Sequence, residues 1–147
     1  MRIKTTYFIG ALLLVLQISS CKNQNDAAGS VIPNVAVNFL VNLNDNTYFN
    51  LKNDGGYVNI SGVGVKGIIL YRYNATNYTA FERASPIDPY GKNIITMDQS
   101  RLFLADTLAK ARFDLQGNSS DGVSANPIKK YYTQLNGTTI QITNIYY

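Results

Sequence analysis

The chain has no histidine, and its single cysteine, Cys21, stands near the N-terminus. No imidazole is therefore present to act as the base of a serine nucleophile. One cysteine has no partner for an intrachain disulfide. Charge is sparse, at 15% of residues, and no basic cluster is interleaved with aromatics, which argues against nucleic acid as a partner. The one apolar run of note, Tyr7 to Ile18, is shorter than the roughly 20 residues a membrane helix needs. Outside it no segment carries a helical hydrophobic period of useful length, and there is no internal repeat. Gly62-Val63-Gly64 is not a phosphate loop, because no helical segment follows it.

The 147 residues suit a single domain. Tyrosine is abundant, at 11 residues, and Val, Ile and Thr are punctuated by Asn and Gly. This composition favours strands and turns.

The first segment reads as an export signal. A basic start, Met1 to Lys4, precedes the apolar run and then Ser19-Ser20-Cys21, the order of a secretory signal. The ending Ile18-Ser19-Ser20-Cys21 resembles a bacterial lipobox, which implies lipidation of Cys21 as the mature N-terminus. Acyl chains on Cys21 would anchor the protein to a membrane, each buried methylene adding about 0.8 kcal/mol. The expected organisation is a signal peptide over 1–20, a flexible tether over 21–34 and one β domain over 35–147. Removing Arg2 and Lys4 with the signal leaves eleven basic against nine acidic residues, a mature net charge of +2.

Beyond the tether, Val35, Val37, Phe39, Val41 and Leu43 alternate with polar or small neighbours, as in a half-buried strand. Tyr48 to Leu51 is ambiguous. Gly55-Gly56 marks a turn, followed by a strand over Tyr57–Ile60. The apolar run Ile68 to Tyr71 predicts a strand buried on both faces. Further strands are expected over Tyr78–Arg83, Ile128–Leu135 and Thr138–Thr143. Two short strands, Ile94–Met97 and Arg101–Leu104, predict a hairpin around Asp98-Gln99-Ser100. Thr107 to Arg112 has the composition of a helical turn, and Phe113 to Leu115 that of a small strand. Asn136-Gly137 predicts a two-residue type I′ turn. Short strands with turn signals every ten or so residues form the pattern of an all-β antiparallel sandwich or barrel.

The order of these pieces resembles the Rieske fold. Gly55-Gly56-Tyr57-Val58 with Val65 to Tyr71 resembles that family's opening hairpin. Tyr78 to Arg83 resembles the strand entering the first ligand loop, Arg112-Phe113-Asp114 the step leaving the second, and Pro127 to Tyr131 with Ile140-Gln141-Ile142 the closing hairpin. The resemblance implies a Rieske-like β-sandwich with a small subdomain whose two loops would hold an iron–sulfur cluster. Such a cluster takes two cysteines and two histidines. The positions implied for them carry Ser85 and Ile87 in the first loop and Asp106 and Ala109 in the second. No cluster of this type can form on those residues, so the expectation is no cofactor and a domain that has lost its chemistry. In place of a metal cross-link, packing by Pro86, Ile87, Leu108 and Phe113 is expected to hold the loops, with Ile87 and Ala109 filling the space of a cluster.

Other candidate chemistry was weighed in the same region. Asp88, Asp98, Asp106, Asp114 and Asp121 read either as hard-cation ligands or, more simply, as turn and cap residues. Asp88 and Asp106 are a candidate acid–base pair. Ser85 lacks a nucleophile-elbow context, and Lys92 and Lys110 are the only cations proposed to activate it. Asp106-Thr107-Leu108 resembles a short O-glycosylation acceptor. Tyr71, Tyr73 and Tyr78, and Tyr131, Tyr132, Tyr146 and Tyr147, are candidates for stacking or an interface, with core packing as the plainer account.

The resulting expectation is a non-enzymatic, lipid-anchored protein of the bacterial envelope, facing the periplasm or the surface. Its domain would be a binding, structural or accessory module with an envelope protein partner. Two alternatives stay open: a redox-accessory subunit that docks without carrying electrons, and an enzyme with a new carboxylate or metal site between the loops.

Overall fold

A computed structural model describes residues 31–144. The signal, Cys21, most of the tether and the terminal Ile145-Tyr146-Tyr147 lie outside the described residues.

The fold is all-β, with two antiparallel sheets. The larger has six strands: β1 (Asn38–Asn42), β2 (Tyr57–Ile60), β3 (Ile68–Arg72), β4 (Tyr78–Glu82), β8 (Lys130–Asn136) and β9 (Thr139–Thr143). Their order across the sheet is β1-β9-β8-β4-β3-β2. The smaller sheet has β5 (Ile95–Met97), β6 (Leu104–Asp106) and β7 (Ala111–Phe113), in that order.

Strand β3 shows why two cores form. All of Ile68, Ile69, Leu70 and Tyr71 are buried. Successive side chains of a strand point to opposite faces. Ile68 and Leu70 therefore enter one core, with Val41, Leu51, Ile60, Ala80, Ile140 and Ile142. Ile69 and Tyr71 enter the other, with Phe81, Ile95, Leu104 and Phe113 of the small sheet and its approach. The first core joins residues from both edges of the six-stranded sheet, so that sheet curls on itself. Strand β8 makes the bend. It pairs with β4 only at Tyr131 and Lys130, then with β9 from Tyr132 to Asn136.

The expected strands are present with shifted ends. Tyr48 to Leu51 lies within a 3-10 helix, Asn46–Lys52, whose N-cap Asp45 accepts a bond from the Thr47 amide. Buried Leu51 fastens it to the first core. The second strand of the predicted hairpin starts at Leu104, because Arg101 adopts φ 60° and Leu102 faces solvent. The helical segment expected over Thr107 to Arg112 is cut to one turn over 107–110, and Ala111 and Arg112 are already in β7. Asp106 bonds the next amides, Lys110 takes φ 58°, and the chain reverses into β7. The final hairpin turns on Gly137-Thr138, between the paired Asn136 and Thr139. Gly137 has φ 60° at the first central position, the type II′ pattern, not the type I′ turn on Asn136-Gly137.

Candidate functional site

Two loops leave the same end of the small sheet. The first runs from Arg83 to Ile94, between β4 and β5, and the second from Thr107 to Lys110, between β6 and β7. Each is governed by a carboxylate with no exposed surface.

At the base of the first loop this is Glu82. Its Oε2 accepts bonds from the Val65 amide at 2.8 Å and the Tyr131 hydroxyl at 2.5 Å. Its Oε1 accepts from the amides of Lys66 at 2.9 Å and Ala84 at 2.8 Å. A buried charge is tolerated when its acceptor sites are filled in this way. The four donors come from the β2–β3 connection, the first loop and β8, so one side chain fixes three segments. Burial, and then the bond to Glu82, push the Tyr131 hydroxyl pKa far above its ordinary value. Gly64 is shaped to the pair. It has φ 75°, and a Cβ there would stand 2.4 Å from Glu82 Oε2 and 2.8 Å from the Tyr131 hydroxyl.

Lys66 extends the same anchor. Its amide bonds Glu82, while its ammonium donates to the carbonyls of Gly91 at 2.6 Å, Asn93 at 2.9 Å and Asp88 at 3.4 Å. The ammonium thus gathers the far limb of the first loop.

The second carboxylate, Asp106, joins the loops. Its Oδ1 accepts from the amides of Leu108 at 3.0 Å and Ala109 at 2.9 Å, and its Oδ2 from the Asn93 side chain at 2.9 Å. Buried Ser85 stands near it and helps lower its pKa, while Ser85 Oγ accepts from the Ile87 amide at 3.2 Å. Burial alone would raise the Asp106 pKa. The bonds from Ala109, Ser85, Asn93 and Leu108 outweigh it and hold the pKa below the ordinary carboxylate value.

Two of the four positions implied as ligand sites, Ser85 and Asp106, are thus buried near each other. The other two are not inside. Ile87 is 39% exposed, and Ala109 is half-buried against the second core. The expected packing is corrected accordingly. Pro86 and Phe113 are buried, but Leu108 is 67% exposed and Ile87 faces solvent. A polar network, not an apolar plug, ties the loops. An Asp and a Ser can satisfy four nearby donors and acceptors in a small volume, whereas Ile87 and Leu108 have no apolar space left to enter.

The residues do not fit an iron–sulfur cluster. Ile87 and Ala109 offer no ligand atoms, Asp106 is spent on Asn93 and two local amides, and Ser85 Oγ is spent on the Ile87 amide.

The remaining candidates stay apart. The Asp88 carboxylate lies against Gly91, while Asp106 faces Asn93 and Ser85, so the two take separate partners. Among the described residues no three Asp or Glu side chains gather as metal ligands would. Asp98 caps Ser100, and Asp114 caps Gln116 and Asn118. Asp121 bonds the amides of Val123 and Arg112. Lys92 and Lys110 are exposed and make no hydrogen bond to Ser85. Tyr71, Tyr78 and Tyr131 are core residues, while Tyr132 is exposed. Sequence reasoning missed Glu82 altogether. Its signal was an acidic residue closing the strand Tyr78-Thr79-Ala80-Phe81, whose apolar members pack inside.

No protein-family model and no curated protein sequence matches the chain. Among solved structures, it is similar to a protein from Mycobacterium tuberculosis assigned as the small subunit of an NADH-dependent nitrite reductase. That likeness has a TM-score of 0.48 at 17% identity, and covers 78% of this chain and 100% of the other.

Proposed function

We propose that this protein is a lipid-anchored, non-catalytic binding or accessory module of the bacterial envelope, built on a Rieske-like domain without its cluster. One observation carries the reading. The two loops that would grip a metal centre are closed on each other by the bond from the Asn93 side chain to Asp106, whose other oxygen takes the amides of Leu108 and Ala109, with buried Ser85 alongside. The junction is built for rigidity and offers no free acid, base or nucleophile.

Outside it, the same loops present Ile87, Tyr90 and Leu108, which are 39%, 81% and 67% exposed. Apolar side chains on a rigid polar frame suit contact with an envelope protein held at the same membrane. A photo-crosslinking residue placed at Ile87 or Leu108 should capture one membrane-associated protein. The same residue at Leu102, at the opposite end of the small sheet, should not. Equal capture from all three positions would refute the assignment of this surface. Iron–sulfur absorption in the purified protein would sink the reading as a whole.

A further inference from the structure

A recess in the surface lies away from the two loops. It has a volume of about 330 Å³ and is lined by Thr47 and Asn50 of the 3-10 helix, Tyr57, Val58 and Asn59 of β2, and Arg101 at the β5–β6 turn. Three of its side chains, all exposed to solvent, make no hydrogen bond to the described residues. The Arg101 guanidinium makes no hydrogen bond or ion pair, and neither the Asn50 nor the Asn59 amide is hydrogen-bonded. Arg101 is nevertheless held in place. Its backbone takes φ 60° in a turn closed by its own amide on the Asp98 carbonyl, and its guanidinium lies 5.9 Å from the Tyr57 ring centre. A positive φ is uncommon for a residue other than glycine, so this turn fixes where Arg101 starts.

We propose that this recess binds an acidic sugar, a hydroxyl-rich ring bearing one carboxylate. The lining contains one cation and no acidic group, which matches a single negative charge. A guanidinium pairs with a carboxylate through two parallel bonds. The two asparagine amides each offer both donors and an acceptor, the combination that sugar hydroxyls require. The half-buried Tyr57 ring supplies an apolar wall with a polar tip. The volume is at the small end of the range for ligand sites, and suits a one- or two-ring ligand. No carboxyl group lines the recess, so it lacks the pair used in two-carboxylate glycoside hydrolysis, and the proposal is for binding.

The test is calorimetric titration of the full-length chain, in detergent, with sodium glucuronate and galacturonate, and with glucose, acetate and phosphate as controls. At least one uronate should bind, with glucose weaker by about tenfold or more, since a hydrogen-bonded ion contributes about 1.5–3 kcal/mol. Arg101→Ala should reduce uronate binding by a similar factor, and Arg101→Lys should restore part of it. Asn59→Ala should weaken the uronates but leave acetate unchanged. Absence of uronate binding, equal binding by Arg101→Ala, or acetate or phosphate binding as tightly as the uronates would each overturn the proposal. The loops that carry the proposed partner surface take no part in this experiment, so its failure would leave that reading intact.

Discussion

Replacing Glu82 by glutamine tests whether a buried carboxylate organises the first loop. All four hydrogen bonds at Glu82 are donated to it. Glutamine keeps one acceptor oxygen. Its amide nitrogen would sit best at the Oε2 place, where the Tyr131 hydroxyl can rotate to accept, but the Val65 amide would then face another donor. One orphaned backbone amide costs about 1–3 kcal/mol. The bonds from Lys66 and Ala84 would also weaken from charge-assisted to neutral, at roughly 1 kcal/mol each. Relief from burying a charge offsets part of this. The expected net loss is about 2–4 kcal/mol, measured by equilibrium urea unfolding. With a urea slope of about 1–3 kcal/mol per molar, the midpoint should fall by about 1–2 M. Tyr131→Phe alone removes one donor of four and should cost about 1–2 kcal/mol. The two substitutions should be non-additive by at least about 0.5 kcal/mol, because they share a bond. A glutamine variant within about 0.5 kcal/mol of the parent, with its fold retained, would refute the role assigned to Glu82.

Other outcomes follow from the same geometry. Gly64→Ala should lose at least about 2 kcal/mol in the same unfolding assay, from the left-handed backbone and the collision with Glu82 and Tyr131. Because the Asp106 pKa is depressed, its stabilisation is complete above the ordinary value of 3.8 and is lost as pH falls through the lower folded value. Amide exchange at Leu108 and Ala109 should therefore accelerate, relative to the rest of the small sheet, only below about pH 4, and in Asp106→Ala, which has no acceptor, that relative acceleration should be present at every pH. A fatty-acid probe should label the parent protein but not Cys21→Ala; equal labelling would remove the lipid anchor from the proposal.

Much of the β architecture was legible in local pattern. The run Ile68 to Tyr71 already specified a strand with both faces covered, and period 2 explains why its side chains divide between two cores. Turn residues marked most of the connections, because positive φ is a local demand that few residue types meet. Strand ends were less legible. The shift of the last turn from Asn136-Gly137 to Gly137-Thr138 depends on the register between β8 and β9, which no dipeptide fixes. The turn after Asp106 is capped by its carboxylate but stops at Lys110, whose φ of 58° returns the chain to pair as β7, and that pairing is not written in the local sequence.

By itself, the amino-acid sequence determined that no cysteine–histidine cluster can be held here, because composition admits no exception. It also marked Ser85 and Asp106 as positions of interest. Only the tertiary structure decided what those positions do. Residues 21 apart in the chain come together in the interior, Asp106 takes the Asn93 side chain, and Ile87 and Leu108 are left exposed. Glu82 likewise gains its meaning from Val65, Lys66 and Tyr131, which sheet pairing brings around it. The physical reason is the same in both cases. Which polar groups a buried carboxylate can satisfy depends on distance and direction across the fold, and a linear sequence records neither.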